Sequence, residues 1–231
     1  MKRFYTDVTV LAEEGGFAIR LDGRPVRTPA RALLALPTVA LAEAVAQEWR
    51  AQGDTVDPAS MPRTGLANAA IDHVAPDPPT FADGIARYAQ SDLLCYRADS
   101  PDTLVARQSA AWEPLLDWAR TRYDVTFAVT QGIIPVPQPE ETLARLAVAV
   151  AALDPFTLAG LSTLVALSGS LVCGLAVVEG GHDVAALWQA AEIDEAWQVE
   201  RWGEDAEAAT RSARRAVDFA MAAEFCAMSR G

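Results

Sequence analysis

Apolar and polar residues alternate in the first third of the chain. Val8 and Val10, then Phe17, Ile19 and Leu21, fall at a period of two, which puts alternate side chains on one face of a sheet. Gly15-Gly16 and Asp22-Gly23 separate these runs and can take the positive φ angles of tight hairpins. The pattern predicts an antiparallel meander over residues 4–11, 17–21 and 24–28, with a fourth strand near 32–36.

The period then lengthens. Pro37-Thr38 opens a helix in which Leu41, Val45, Trp49 and Gln52 recur at helical spacing, with Gly53 placed to end it. Thr64 reads as the cap of a second helix through Leu66, Ala70, Ile71 and Val74. Pro76-Asp77-Pro78-Pro79 cannot continue that helix and has the stiffness of a linker. We therefore expect an N-terminal β-rich α+β domain over residues 1–77 and a mainly helical domain over 78–231. In the latter, Thr80 with Asp83 resembles a capping pair ahead of Phe81, Ile85 and Tyr88. Further helices are predicted at 101–123, bent at Pro114, and at 139–153, 155–178 and 183 to about 228; only 125–129 alternates like a strand. The fold class is α+β, with a small antiparallel meander plus helices followed by a helical domain.

Composition narrows the function. A chain of 231 residues with 51% hydrophobic and 22% charged residues has the balance of a folded protein. A formal net charge of −12 repels phosphate backbones, which argues against a nucleic-acid partner. Lys2 is the single lysine, so Schiff-base and P-loop lysines are absent from the middle of the chain. Cys95, Cys173 and Cys226 are odd in number, far apart and in apolar surroundings, which predicts reduced, buried thiols in a cytoplasmic protein. Met1-Lys2-Arg3 runs into Phe4-Tyr5 and Asp7 without the apolar core of a signal peptide, in line with a cytoplasmic location. The uncharged run 155–178 exceeds the roughly 20 residues that span a bilayer. Its flanks, however, are the acidic Asp154, Glu179 and Asp183, and five hydroxyl side chains dilute it, so it reads as a core helix without membrane insertion.

Catalytic signatures are missing: the chain has no G-x-S-x-G, G-x-x-x-x-G-K, G-x-G-x-x-G or C-x-x-C. Of its two histidines, His73 follows Asp72 and could be a base oriented by a carboxylate, with Arg63 nearby; a small-molecule enzyme built on Asp72/His73 is the alternative reading, against a surface or capping role. His182 precedes the helix cap Asp183. Nothing in the spacing of two His and three Cys supports a metal site, and no cofactor is expected. The remaining unusual stretch is 192–207, where seven acids surround Arg201 and tryptophans are interleaved. On one helix Trp188, Glu195 and Trp202 are heptad-spaced and drift only about 20° per step, giving a face of indole, carboxylate, indole. Such a face suits a binding hot spot, or else both indoles are core and Glu195 pairs internally.

These residues fall into a series of motifs: Lys2-Arg3-Phe4-Tyr5, Leu21-Asp22-Gly23-Arg24-Pro25-Val26-Arg27-Thr28-Pro29, Glu48-Trp49 and Met61-Pro62-Arg63-Thr64. Ala70-Ile71-Asp72, Asp92-Leu93-Leu94-Cys95-Tyr96-Arg97, Arg107-Gln108 with Trp112, and Gln198 with Trp202-Gly203 continue it. In this order they resemble the family of F-type ATP synthase α-subunit assembly chaperones of mitochondria and α-proteobacteria. Arg27 stands where lysine is expected, and the missing organellar extension points to a bacterial member. The resemblance implies a β-containing N-terminal domain, a helical C-terminal domain, no catalysis and the unassembled α subunit as partner; the free chain is expected to be a monomer. It also implies a functional carboxylate in the helix leading into Trp202-Gly203, matched here by Glu195; with the two indoles at heptad spacing from it, Trp188, Glu195 and Trp202 are the expected partner-binding residues.

Overall fold

The structure, a computed structural model, describes residues 2–13, 15–132 and 134–230, and within it the chain forms two compact units. The first unit gathers the chain up to Pro78 with two later segments, Asp154–Gly160 and the residues from Glu224 on.

Its sheet is built on β2 (Gly16–Leu21), which pairs antiparallel with β1 (Val8–Glu13) on one side and with β3 (Arg24–Pro25) and β4 (Ala35–Leu36) on the other. Val8 opposes Leu21 and Val10 opposes Ile19, so the alternating residues share a face as their period requires. Asp22 and Gly23 both have positive φ (48° and 77°), the backbone of a primed hairpin turn, and the Asp22 carboxylate accepts the Thr6 and Asp7 amides at 3.1 and 2.8 Å. Gly16 is fixed by space: a Cβ there would lie 2.3 Å from the Leu36 carbonyl oxygen.

Helix α1 (Val39–Arg50) starts at Thr38, whose hydroxyl accepts the Leu41 amide at 3.1 Å, and buries Leu41, Ala42, Val45 and Ala46 in the same core as Ile19, Leu34 and Leu36. Phe225 joins this core from the C-terminal segment. Helix α2 (Pro62–Ala69) begins at Pro62, not at a Thr64 cap. Thr64 is instead buried inside α2, where its amide and hydroxyl both donate to Glu48 of α1 at 2.8 Å. A π-helical turn, Ala70–Val74, follows.

The second unit is helical. Helix α3 (Pro78–Ala86) takes in Pro78 and Pro79 of the expected linker, because proline lacks only an amide that the first helical turn leaves unpaired. Thr80 is therefore inside the helix rather than its cap. A 22-residue helix α4 (Asp102–Tyr123) keeps Pro114 within it, and α5 (Glu140–Ala151) follows as the pattern predicts. Residues 125–129 form no strand. Side chains take the place of a neighbouring strand: Gln138 brackets Ala128, accepting its amide at 3.0 Å and donating to its carbonyl at 2.9 Å, and Thr142 does the same for Thr126. Only β6 (Thr130–Gln131) pairs, parallel to β5 (Tyr96–Arg97).

The run 155–178 is two helices, α6 (Pro155–Ser168) and α7 (Leu171–Glu179), broken where Gly169 has φ 69° and Ser170 caps α7 by accepting the Cys173 amide. Asp92, fully buried, accepts the amides of Val172 and Leu94 at 3.0 Å each and so holds the start of α7 to the 92–95 turn. No helix among the described residues is long and apolar enough to cross a membrane. The helix expected from 183 to about 228 is three: α8 (Val184–Ala191), α9 (Ile193–Trp202) and α10 (Ala206–Arg230). Glu192 ends α8 while its carboxylate holds Ser212 and Arg215 of α10, and Gly203 (φ 89°) ends α9.

Candidate functional site

In the second unit a cleft of about 630 Å³ lies between the 96–101 segment, α4 and α9. Its floor is made of charges and amides that satisfy one another. Arg97 is nearly fully buried; it donates to the Gln108 carbonyl at 2.9 Å and to Glu113 at 3.1 Å, with its guanidinium 4.9 Å from the Trp112 ring. Burial lowers the Arg97 pKa from the usual arginine range, and the Glu113 carboxylate counters that fall. Gln108 is also buried: its amide oxygen accepts the Ala98 amide at 2.8 Å and its nitrogen donates to Asp194 of α9 at 2.7 Å. Trp112 donates from Nε1 to the Ala190 carbonyl at 2.7 Å. These bonds fix where α8 ends and how α9 is seated.

Helix α9 is amphipathic: Ile193 and Trp197 are buried, and Trp197 lies 5.1 and 4.7 Å from the guanidinium carbons of Arg107 and Arg201. Arg107 forks onto Glu200 at 2.7 and 2.9 Å, which raises the Arg107 pKa and lowers that of Glu200. Asp194, Gln198 and Trp202, four residues apart, line the cleft. On the outer side Glu195, Val199 and Trp202 follow at i, i+4, i+7. Glu195 is exposed and makes no hydrogen bond or ion pair among the described residues, Val199 is 43% exposed, and Trp202 is 78% exposed. An indole so open to water at the end of a helix, at the edge of the cleft, is free to meet another surface.

Trp188 is placed otherwise. It belongs to α8, half-buried against Phe219 at 5.2 Å with the Arg215 guanidinium 5.3 Å from its ring, so the three-residue face expected on one helix is divided by the break at Glu192. Glu195 and Trp202 still share α9. Sequence spacing missed Asp194 and Gln198, which face the cleft, and Val199 between Glu195 and Trp202; the hydrophobic step from Glu195 through Val199 to Trp202 was the signal that could have found the last.

The Asp72/His73 pair does not assemble into a site. Thr28 and Ala30 donate to the two Asp72 oxygens at 2.6 and 2.9 Å, His73 is exposed, and Arg63 turns to Glu224 and Glu48. The Asp72 carboxylate thereby anchors the 28–30 turn. Among the described residues no group of three His, Cys, Asp or Glu side chains is placed to hold a metal ion.

A family model described as ATP12 chaperone protein matches residues 2–120. The crystal structure of Atp12 from Paracoccus denitrificans superposes with a TM-score of 0.94 at 45% identity, covering 99% of this chain and 98% of that one. An aspartate-to-lysine mutant of the same protein matches at 44% identity, TM-score 0.94, over 99% and 97% of the two chains. The mitochondrial protein atp12 of Schizosaccharomyces pombe is 25% identical over 217 residues, 87% of this chain and 74% of that protein.

Proposed function

The chain belongs to the ATP12 chaperone family, the assembly factors of the F-type ATP synthase, and from that premise we propose that it binds the unassembled α subunit and keeps it competent to pair with β. The observation that carries this reading is the exposed stripe Glu195, Val199 and Trp202 on α9, seated by buried bonds from Gln108 and Trp112. A lone α subunit presents the apolar surface that β covers in the assembled ring, and such surfaces self-associate. A stripe with one large indole, one aliphatic side chain and an unpaired carboxylate covers part of that surface and adds steering by charge. Its small size suits a partner that has to be released to β. Trp188 packs α8 onto α10 through Phe219 and Arg215. In this reading the protein works in the cytoplasm as a monomer, binds without turning anything over, and needs no cofactor.

The test is suppression of α-subunit aggregation, followed by light scattering, together with co-purification of α and its displacement by β. Trp202→Ala is expected to weaken α binding by about 30-fold or more, the cost of removing a central aromatic anchor of about 2 kcal/mol, while the melting temperature stays unchanged because the side chain is exposed. Glu195→Lys is expected to slow association more at low salt than at high salt. Full capture of α by both variants would refute the assignment of the stripe, and no capture by the wild-type chain would refute the function.

A further inference from the structure

Strand β1 ends the sheet of the first unit: among the described residues it pairs only with β2. In an antiparallel pair the backbone groups of successive residues point alternately towards the partner strand and away from it. Ile19 fixes the alternation here. Its amide donates to the Leu34 carbonyl at 3.3 Å and its carbonyl accepts the Val26 amide at 2.9 Å, so both face away from β1. The residue opposite, Val10, therefore turns its own amide and carbonyl outward, and Val8 and Ala12, on either side of it in the alternation, do the same. The Val8 carbonyl is already taken, since Arg50 donates to it from Nε at 3.3 Å and from Nη2 at 3.1 Å. Among the described residues no hydrogen bond reaches the amides and carbonyls of Val10 and Ala12, and Ala12 is exposed.

Sheet edges are ordinarily blunted by lysine, proline or a bulge. β1 runs in unbroken register from Val8 to Glu13 with none of these. Its one charge, Glu13, is held across the sheet by Arg20 at 2.9 and 2.6 Å. Leu11 is 48% exposed on one face, and Val10 lies against the core on the other. An outward row of alternating N–H and C=O groups is complemented by another extended polypeptide, because a backbone repeats a donor and an acceptor at that same spacing. The net charge of −12 sets two copies of this chain against each other and favours a neutral or basic segment of a partner.

We propose that an extended segment of another polypeptide adds to β1 as a further strand, its backbone pairing with Val10 and Ala12 and its side chains lying beside Val10 and Leu11. Arg50 stops the pairing at Val8. The site deepens the chaperone reading, on which the identity of that polypeptide as the α subunit rests; the chemistry of the edge does not depend on it. The open run is short, in keeping with a hold that β has to displace.

The test uses the full chain, labelled with nitrogen-15, and as the probe a short blocked peptide of alternating valine and threonine with a lysine at each end. The Val10 and Ala12 amide signals are expected to shift saturably as the probe is added. The same peptide N-methylated at every valine and threonine is expected to bind at least about tenfold more weakly, because the donors that meet the edge are gone. No shift of the two signals, or an equal shift with the methylated peptide, overturns the proposal. Slow exchange of the two amides that grows with the concentration of the chain alone, with a dimer in sedimentation, gives the edge to a second copy and overturns it as well. Capture of the α subunit is measured on the same preparation, where the Val10 and Ala12 amides are expected to exchange with solvent at least about tenfold more slowly in the complex than in the free chain. Ala12→Pro removes an outward amide and no bond to β2, and is expected to weaken capture about tenfold at an unchanged melting temperature. Should that variant not fold, the exchange rates of the wild-type chain decide alone. Capture that leaves both amides unprotected, or that a folded Ala12→Pro chain retains in full, overturns the edge site and leaves the chaperone reading standing, whereas peptide binding without capture supports the site and refutes that reading.

Discussion

Glu48 joins two helices of the first unit through one carboxylate, and its replacement by glutamine tests how much that joint contributes. The side chain is 8% exposed; one oxygen accepts the Arg63 amide at 2.8 Å and the other accepts the Thr64 amide and hydroxyl, each at 2.8 Å. Glutamine has nearly the same shape but only one accepting oxygen. Its NH2 group must then face either the Arg63 amide or the Thr64 pair, donor against donor. The change removes at least one charge-assisted bond, worth about 1.5–3 kcal/mol, and leaves a buried N–H unsatisfied, so a loss of about 3 kcal/mol is expected. With an m-value of about 2 kcal/mol/M, the urea midpoint of the first unit falls by about 1.5 M. Tyr5, near Trp49, and Trp49 itself supply a fluorescence probe within that unit. Glu43→Gln is the control, because Glu43 pairs with Arg50 on the exposed face of α1 and should change stability by less than about 0.5 kcal/mol. A loss under about 1 kcal/mol for Glu48→Gln, or an equal loss for the control, would refute the argument that the carboxylate's geometry, and not merely its bulk, seats α2.

Burial pushes the thiols of Cys95, Cys173 and Cys226 up to about 12. Each is neutral in the folded chain where an unfolded one ionises near 9, so its contribution to stability is full below about pH 9 and is lost as pH rises towards 12. A thiol reagent at pH 8 should therefore label none of them without denaturant and all three with it; rapid labelling of the native chain would contradict the burial. Gly174→Ala should destabilise the second unit by about 1–3 kcal/mol, because a Cβ there would lie 2.6 Å from Val165 Cγ2 and 2.8 Å from Leu161 Cδ1 where α6 and α7 cross. An unchanged thermal midpoint would show that the two helices can separate at no cost. Gln108→Leu should lower stability by about 2–4 kcal/mol, since it strips partners from the Ala98 amide and the Asp194 carboxylate together, and circular dichroism during urea unfolding would reveal it.

The local pattern was sufficient where a residue's role is decided by its nearest neighbours in the chain. The period of two at Val8, Val10, Ile19 and Leu21, the positive φ demanded of Asp22-Gly23, and the Thr38 cap of α1 are all short-range requirements, and the sheet and helix they predict are present. The α+β order, sheet first and helices after, follows from the same signals. Where the decisive partner is far away in sequence, local pattern misled. Thr64 looks like a cap but is held by Glu48; residues 125–129 look like a strand but are satisfied by Gln138 and Thr142; the long helix from 183 is interrupted at Glu192 by Ser212 and Arg215. Glu195 and Trp202 were legible as candidates because seven residues return a helix to nearly the same face. Trp188 was grouped with them only on the assumption of an unbroken helix, and Asp194 was passed over because its cleft is made by the distant Gln108. The outward turn of the Val10 and Ala12 amides had no sequence signature at all, because which strand ends a sheet is decided by how all of its strands pair. A sequence displays periodicity and turn chemistry directly, but whether a buried polar atom has found its partner is settled only when segments tens of residues apart are brought into contact.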